Sequence, residues 1–141
     1  MEIDLPTAHV TLHELSEDEC WALLEQHSTG RIGYVRGADP MVVPLNYLAR
    51  DREIWWRTSW STEVAKHLDD AVVAFEVDAV DPLTHQGWSV LVHGRAEQVA
   101  TGHHGEHLGQ VPAPWPDDVR RMEFRMVPHA VSGRRLTATP A

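Results

Sequence analysis

Apolar residues recur in two rhythms along the 141-residue chain, and the rhythms divide it into elements. Ser16-Glu17-Asp18-Glu19 opens the clearest one. Ser16 caps a helix, Glu19 completes a capping box, and the acidic first turn suits the positive end of the dipole. Cys20, Trp21, Leu23 and Leu24 give that helix a buried face, its last turn falls at His27, and Gly30 lies just beyond. Residues 1–15 before it pattern weakly and read as a lead-in arm. After it the period shortens: residues 31–36, 41–49 and 53–59 are β-rich, separated by turn-like Gly37-Ala38-Asp39-Pro40 and Arg50-Asp51-Arg52. Val64, Ala65 and Leu68 fall at helical spacing and predict a short second helix over 61–70. Residues 71–80 begin fully apolar and end alternating, Asp81-Pro82 turns the chain, and 87–100 make a long strand. Residues 101–118, rich in Gly, Pro and His, read as loop. Residues 121–131 alternate again, with Met122, Phe124 and Met126 on one face, and Gly133 marks a turn within a polar tail over 132–141.

Six or seven strands with two helices exclude the strand-helix alternation of a doubly wound sheet. The pattern predicts one mainly β domain over residues 1–141, an antiparallel barrel with the helices packed at its edge. A chain of this length buries enough surface to need no staple. Cys20 is the only cysteine, so neither an intrachain disulfide nor a thiolate cluster can form. The acidic start Met1-Glu2-Ile3-Asp4 is unlike a signal peptide, and the run Ala71-Val72-Val73-Ala74-Phe75 is far too short to span a bilayer. A cytoplasmic protein is expected. Twelve basic against 21 acidic side chains leave a net charge of −9, which repels nucleic acid and anionic membrane alike. An anionic ligand then requires the few cations to be gathered in one place.

One segment gathers them. Trp55-Trp56-Arg57-Thr58-Ser59-Trp60-Ser61-Thr62 runs from a strand end into a helix start. Arg57 offers a planar fork of donors, and Thr58, Ser59, Ser61 and Thr62 offer hydroxyls. The helix beginning near Ser61 presents free N–H groups, and Lys66 one turn on adds a point charge. Trp55, Trp56 and Trp60 bring flat apolar surface. These residues leave two readings open: an anion site beside a stacked ring system, or a capped helix with a salt-bridged arginine and core tryptophans. His103, His104 and His107 have metal-ligand spacing only if their segment is helical, which Gly102, Gly105 and Gly109 oppose. An exposed histidine-rich loop is the plainer reading, with a divalent-metal protein as the alternative. His93, on the strand that carries Trp88, reads as an interface histidine.

The order of segments adds to this. Gly30-Arg31-Ile32-Gly33, Pro44-Leu45-Asn46-Tyr47, Arg57-Thr58 with Ser61-Thr62, Ala71 to Asp78, Gly87 to Ala96, and Val131-Ser132-Gly133-Arg134-Arg135 fall in one sequence. Together they resemble the pyridoxamine 5′-phosphate oxidase-like family of FMN-binding split barrels, in its nitroimidazole-reductase-like branch. The resemblance implies a six-stranded split barrel, a homodimer, and two FMN sites at its interface. It implies that Arg57, Thr58 and Thr62 hold the phosphate, with Ser61 and Lys66 beside them. It sets Asn46 along the isoalloxazine and brings Trp88 and Ser89 from the second subunit. An oxidoreductase acting on a small aromatic molecule is expected, with the hydride chemistry belonging to the flavin. One position departs from the pattern: Ser61-Thr62-Glu63 stands where many relatives read Gly-Thr-Lys. A carboxylate facing a phosphate about 6 Å away repels it by roughly 3 kcal/mol at an effective dielectric near 20. That keeps open a barrel loaded with a deazaflavin or haem, or with no cofactor.

Overall fold

The computed structural model of the protein describes residues 9–59, 63–99 and 121–139. The chain enters along strand β1 (His9–Leu15) and turns into helix α1 (Glu17–Gln26). The expected capping box is formed: Ser16 Oγ accepts from the Glu19 N–H, and Glu19 Oε1 accepts from the Ser16 N–H. The second of these bonds holds the Glu19 carboxyl below its usual range. Cys20, Trp21 and Leu24 form the buried face, and burial pushes the Cys20 thiol up.

Four strands follow as two hairpins: β2 (Thr29–Arg36) with β3 (Asp39–Asn46), and β4 (Leu48–Arg50) with β5 (Glu53–Ser59). Gly37, with φ of 61°, turns the first. Asp51 and Arg52, both left-handed, turn the second, the hand that matches strand twist. The run expected over 41–49 is therefore broken at Tyr47. Its ring packs edge-on to Phe75, and its hydroxyl donates to the Leu24 carbonyl at 2.7 Å, locking the end of α1 to the sheet. Helix α2 (Glu63–Leu68), β6 (Ala71–Val80), β7 (Gly87–Gln98) and β8 (Arg121–Thr139) complete the described chain.

Every strand pair is antiparallel, in the order β3-β2-β6-β7-β8-β5-β4, with β1 paired to the far end of β8. The sheet curls until β3 and β5 touch. Alternate residues line the interior: Ile32 and Tyr34 from β2, Ile54 and Trp56 from β5, Phe75 and Val77 from β6, Val90 and Val92 from β7, and Phe124 and Met126 from β8. Two sequence expectations are corrected at the ends. His9–Leu15, expected as an arm, is a strand, and Gly133, expected at a turn, lies inside β8 opposite Val90 and Leu15. The polar residues after it continue as strand because they form a ribbon with β1, whose residues are almost all exposed and need no apolar alternation. Gly133 serves close approach instead: a Cβ there would meet Cys20 Sγ at 2.6 Å. No helix among the described residues is long and apolar enough to cross a membrane.

Candidate functional site

Strand alternation decides which of the expected site residues can act together. On β5, Ile54, Trp56 and Thr58 point to the core, while Trp55 and Arg57 point to the opposite face. Thr58 is 9% exposed, so its hydroxyl lies on the other side of the strand from the Arg57 guanidinium. Trp56 is likewise core, stacked on Phe124 with centroids 5.8 Å apart. Arg57 sits directly across from Glu123 of β8, with Nε 3.1 Å from Glu123 Oε1 and side-chain exposures of 19% and 14%. The two side chains form an ion pair across the ladder. Next to it on the same face, Arg125 lies between Glu97 at 3.2 Å and Glu53 at 3.8 Å, with its guanidinium carbon 5.8 Å from the Trp55 ring centre. Lys66 is exposed on α2, which packs against β2, β5, β6 and β7.

A second group assembles elsewhere on the sheet. Asn46 is the ladder partner of Thr29 and accepts from its hydroxyl at 3.1 Å. Two residues along β2, Arg31 reaches both Glu76 and Asp78 of β6, at 3.2 and 3.3 Å. Asp78 is opposite Ser89, and Ser89 is opposite Arg134. Asn46, Thr29, Asp78, Ser89 and Arg134 thus form one transverse row. Burial, together with the neighbouring Asp78 carboxyl, outweighs Arg31 and pushes Glu76 up to about 7. Ser89 and Arg134 open into a groove of about 230 Å³, lined also by Leu12, Leu91 and Ser132. Trp88, 8% exposed with its ring 4.8 Å from that of His27, lines the adjoining groove of about 210 Å³.

Asn46 lies near Arg57, two residues before Leu48, whose ladder partner Trp55 is two residues from the arginine, but Trp88 and Ser89 lie far from it. Arg57 is opposite Glu123 and Trp88 opposite Arg135, so twelve residues of β8, or about 40 Å of strand, separate their levels. Trp60, Ser61 and Thr62 lie outside the described residues, as do His103, His104 and His107, and Glu63 is the first residue of α2. No group of three or more His, Cys, Asp or Glu among the described residues is placed to hold a metal. His93 is exposed on the outer face and stacks on His129 at 6.5 Å.

The sequence profile of the family described as pyridoxamine 5′-phosphate oxidase matches residues 16–135. The chain belongs to that family. Its architecture is the family's split barrel, mainly β with two helices, counted as eight strands because 41–49 is interrupted and residues 9–15 pair. A provisional pyridoxamine 5′-phosphate oxidase of Corynebacterium glutamicum is 27% identical, with a TM-score of 0.74 over 98% of this chain and 99% of that one. An FAD-binding protein of Mycobacterium smegmatis is 29% identical, with a TM-score of 0.70 over 89% of this chain and 98% of that one. An uncharacterised Mycobacterium tuberculosis protein is 32% identical over 130 residues, 89% of this chain and 86% of its own.

For a pyridoxamine 5′-phosphate oxidase relative, the residue that sequence reasoning missed is Glu123. Its strand alternates legibly, so an outward carboxylate at that position was readable. Its pairing with Arg57 was not, because cross-strand register across 66 positions leaves no local signal.

Proposed function

We propose that the protein is a cytoplasmic flavin-dependent oxidoreductase that works as a homodimer, with a flavin nucleotide held between subunits and a small aromatic molecule as substrate. A bound flavin supplies the hydride chemistry. The chain's own part is to bind and orient it. Arg57 and Lys66, with the hydroxyls of Ser61 and Thr62, take the phosphate. Asn46 lies along the ring system, and Trp88 and Ser89 of the partner subunit close the site. The described residues fit such a guest: a guanidinium at 19% exposure is screened from bulk water yet open on its own face. That screened cation is the observation that carries the reading, together with family membership and a relative described as FAD-binding. The distance of Trp88 and Ser89 from Arg57 supports an interface site, because one chain sets them about twelve residues apart along β8.

The test is optical. Freshly purified protein shows flavin absorbance, or gains it with a rise in melting temperature when FMN or FAD is added, and Arg57→Ala loses the pigment. A colourless protein whose melting temperature neither flavin raises overturns the proposal. The Arg57–Glu123 pair favours one second reading, a barrel that carries a deazaflavin or haem, or none of these. A haem Soret band or a deazaflavin spectrum in the same measurement identifies it.

A further inference from the structure

The charge around Arg57 bears on which flavin the site takes, an inference that rests on the flavin reading above. Arg57 is the cation best placed to meet a phosphate, and it is not supplied as a net positive charge. Glu123, only 14% exposed, sits 3.1 Å from its Nε and directly across the ladder. The neighbouring arginine of that face, Arg125, is also matched, by Glu97 and Glu53. Cation and carboxylate there alternate, and both Arg57 and Arg125 have an acid within 4 Å. Low exposure keeps water from screening the Arg57–Glu123 pair, so a phosphate arriving at the guanidinium meets the carboxylate's field nearly undiminished.

That field acts in proportion to the charge brought in. The phosphomonoester of FMN carries close to two negative charges at neutral pH, like other phosphomonoesters. Each phosphate of the FAD diphosphate is bonded to two further groups and carries one, so FAD brings a similar total. Riboflavin, with no phosphate, carries none. We infer that Glu123 is a specificity-determining residue: paired with Arg57, it offsets the pull of the guanidinium on a charged phosphate, so that FMN gains little affinity over riboflavin from its phosphate. Glu123 does this without touching the reacting atoms. It sets what the guanidinium can accept.

Wild type and Glu123→Gln are titrated with riboflavin, FMN and FAD, following flavin fluorescence, with thermal shift as a second readout. In the wild type, FMN binds no more than a few-fold tighter than riboflavin. In Glu123→Gln, FMN affinity rises at least tenfold, FAD affinity rises with it, and riboflavin affinity stays unchanged. Wild-type protein that binds FMN tenfold or more above riboflavin overturns the inference, whether or not the variant folds. A folded variant with the same FMN-to-riboflavin ratio as wild type does so too, and in both cases the flavin reading stands. If the wild type binds none of the three, the flavin reading falls and this inference falls with it.

Discussion

Glu76 is a part-exposed acid, its side chain 34% open to solvent, whose carboxyl is nonetheless pushed well above its ordinary range. It shares the outer face with Asp78, and although Arg31 lies within 3.3 Å of both acids, half of the arginine side chain is in solvent. Burial and the second carboxyl therefore prevail, and Glu76 titrates near 7 rather than at its ordinary 4.5. A carboxyl with a raised native pKa binds its proton more tightly in the folded than in the unfolded chain. Its contribution to stability is greatest below about 4.5 and is lost as pH rises towards 7. Glu76→Gln removes that loss. Its melting temperature should exceed wild type above pH 7, by on the order of 1 kcal/mol in stability once solvent screening is allowed for, and match it more closely at pH 5. Melts at pH 5 and pH 8 check this, and an equal gap between the two pH values in both proteins contradicts it.

At the level of elements, α1 is fixed from both sides. Tyr47 donates to its Leu24 carbonyl, and Gly133 of β8 leaves room for its Cys20. Gly133→Ala would set a methyl 2.6 Å from Cys20 Sγ and 3.1 Å from both Leu15 Cδ1 and the Ser89 carbonyl. Relief requires the helix to move, so the variant should lose roughly 1–3 kcal/mol in urea denaturation. Adding Cys20→Ala should restore part of that loss, a coupling that two independent lesions would not show. These contacts also mark where sequence reading stops. The start of α1 is written in four consecutive residues, Ser16 to Glu19, and β6 is bounded by an apolar run and Asp81-Pro82, so both were legible. The break at Tyr47 was not, because it answers to a carbonyl 23 residues away. Nor was the strand after Gly133, whose residues answer to β1. In the candidate site, Arg57 was legible by its chemistry and its neighbours, whereas its carboxylate partner required the register of β5 on β8.

On its outer face the whole molecule sets apolar side chains among charged ones. Val35 and Val42, on β2–β3, are 59% and 66% exposed, and Val72 of β6, Leu91 of β7 and Val127 of β8 share the side of the sheet away from the core. Such a face on one curled sheet is what a second copy would cover. Sedimentation should give twice the chain mass of 15.9 kDa for the wild type, and Leu91→Glu should give the single-chain mass together with loss of flavin uptake. A wild type that sediments as a single chain at micromolar concentration removes the interface from the proposed function. The pairing of β1 with the end of β8 reaches beyond catalysis. His9 and Thr139 are rungs of one ladder, so the polypeptide departs from the barrel at the point where it entered. Residues 9 and 139 are therefore neighbours in space. A short peptide bridging the two would leave every strand in place, and the chain could then be reopened in the exposed 81–86 turn as a circular permutant.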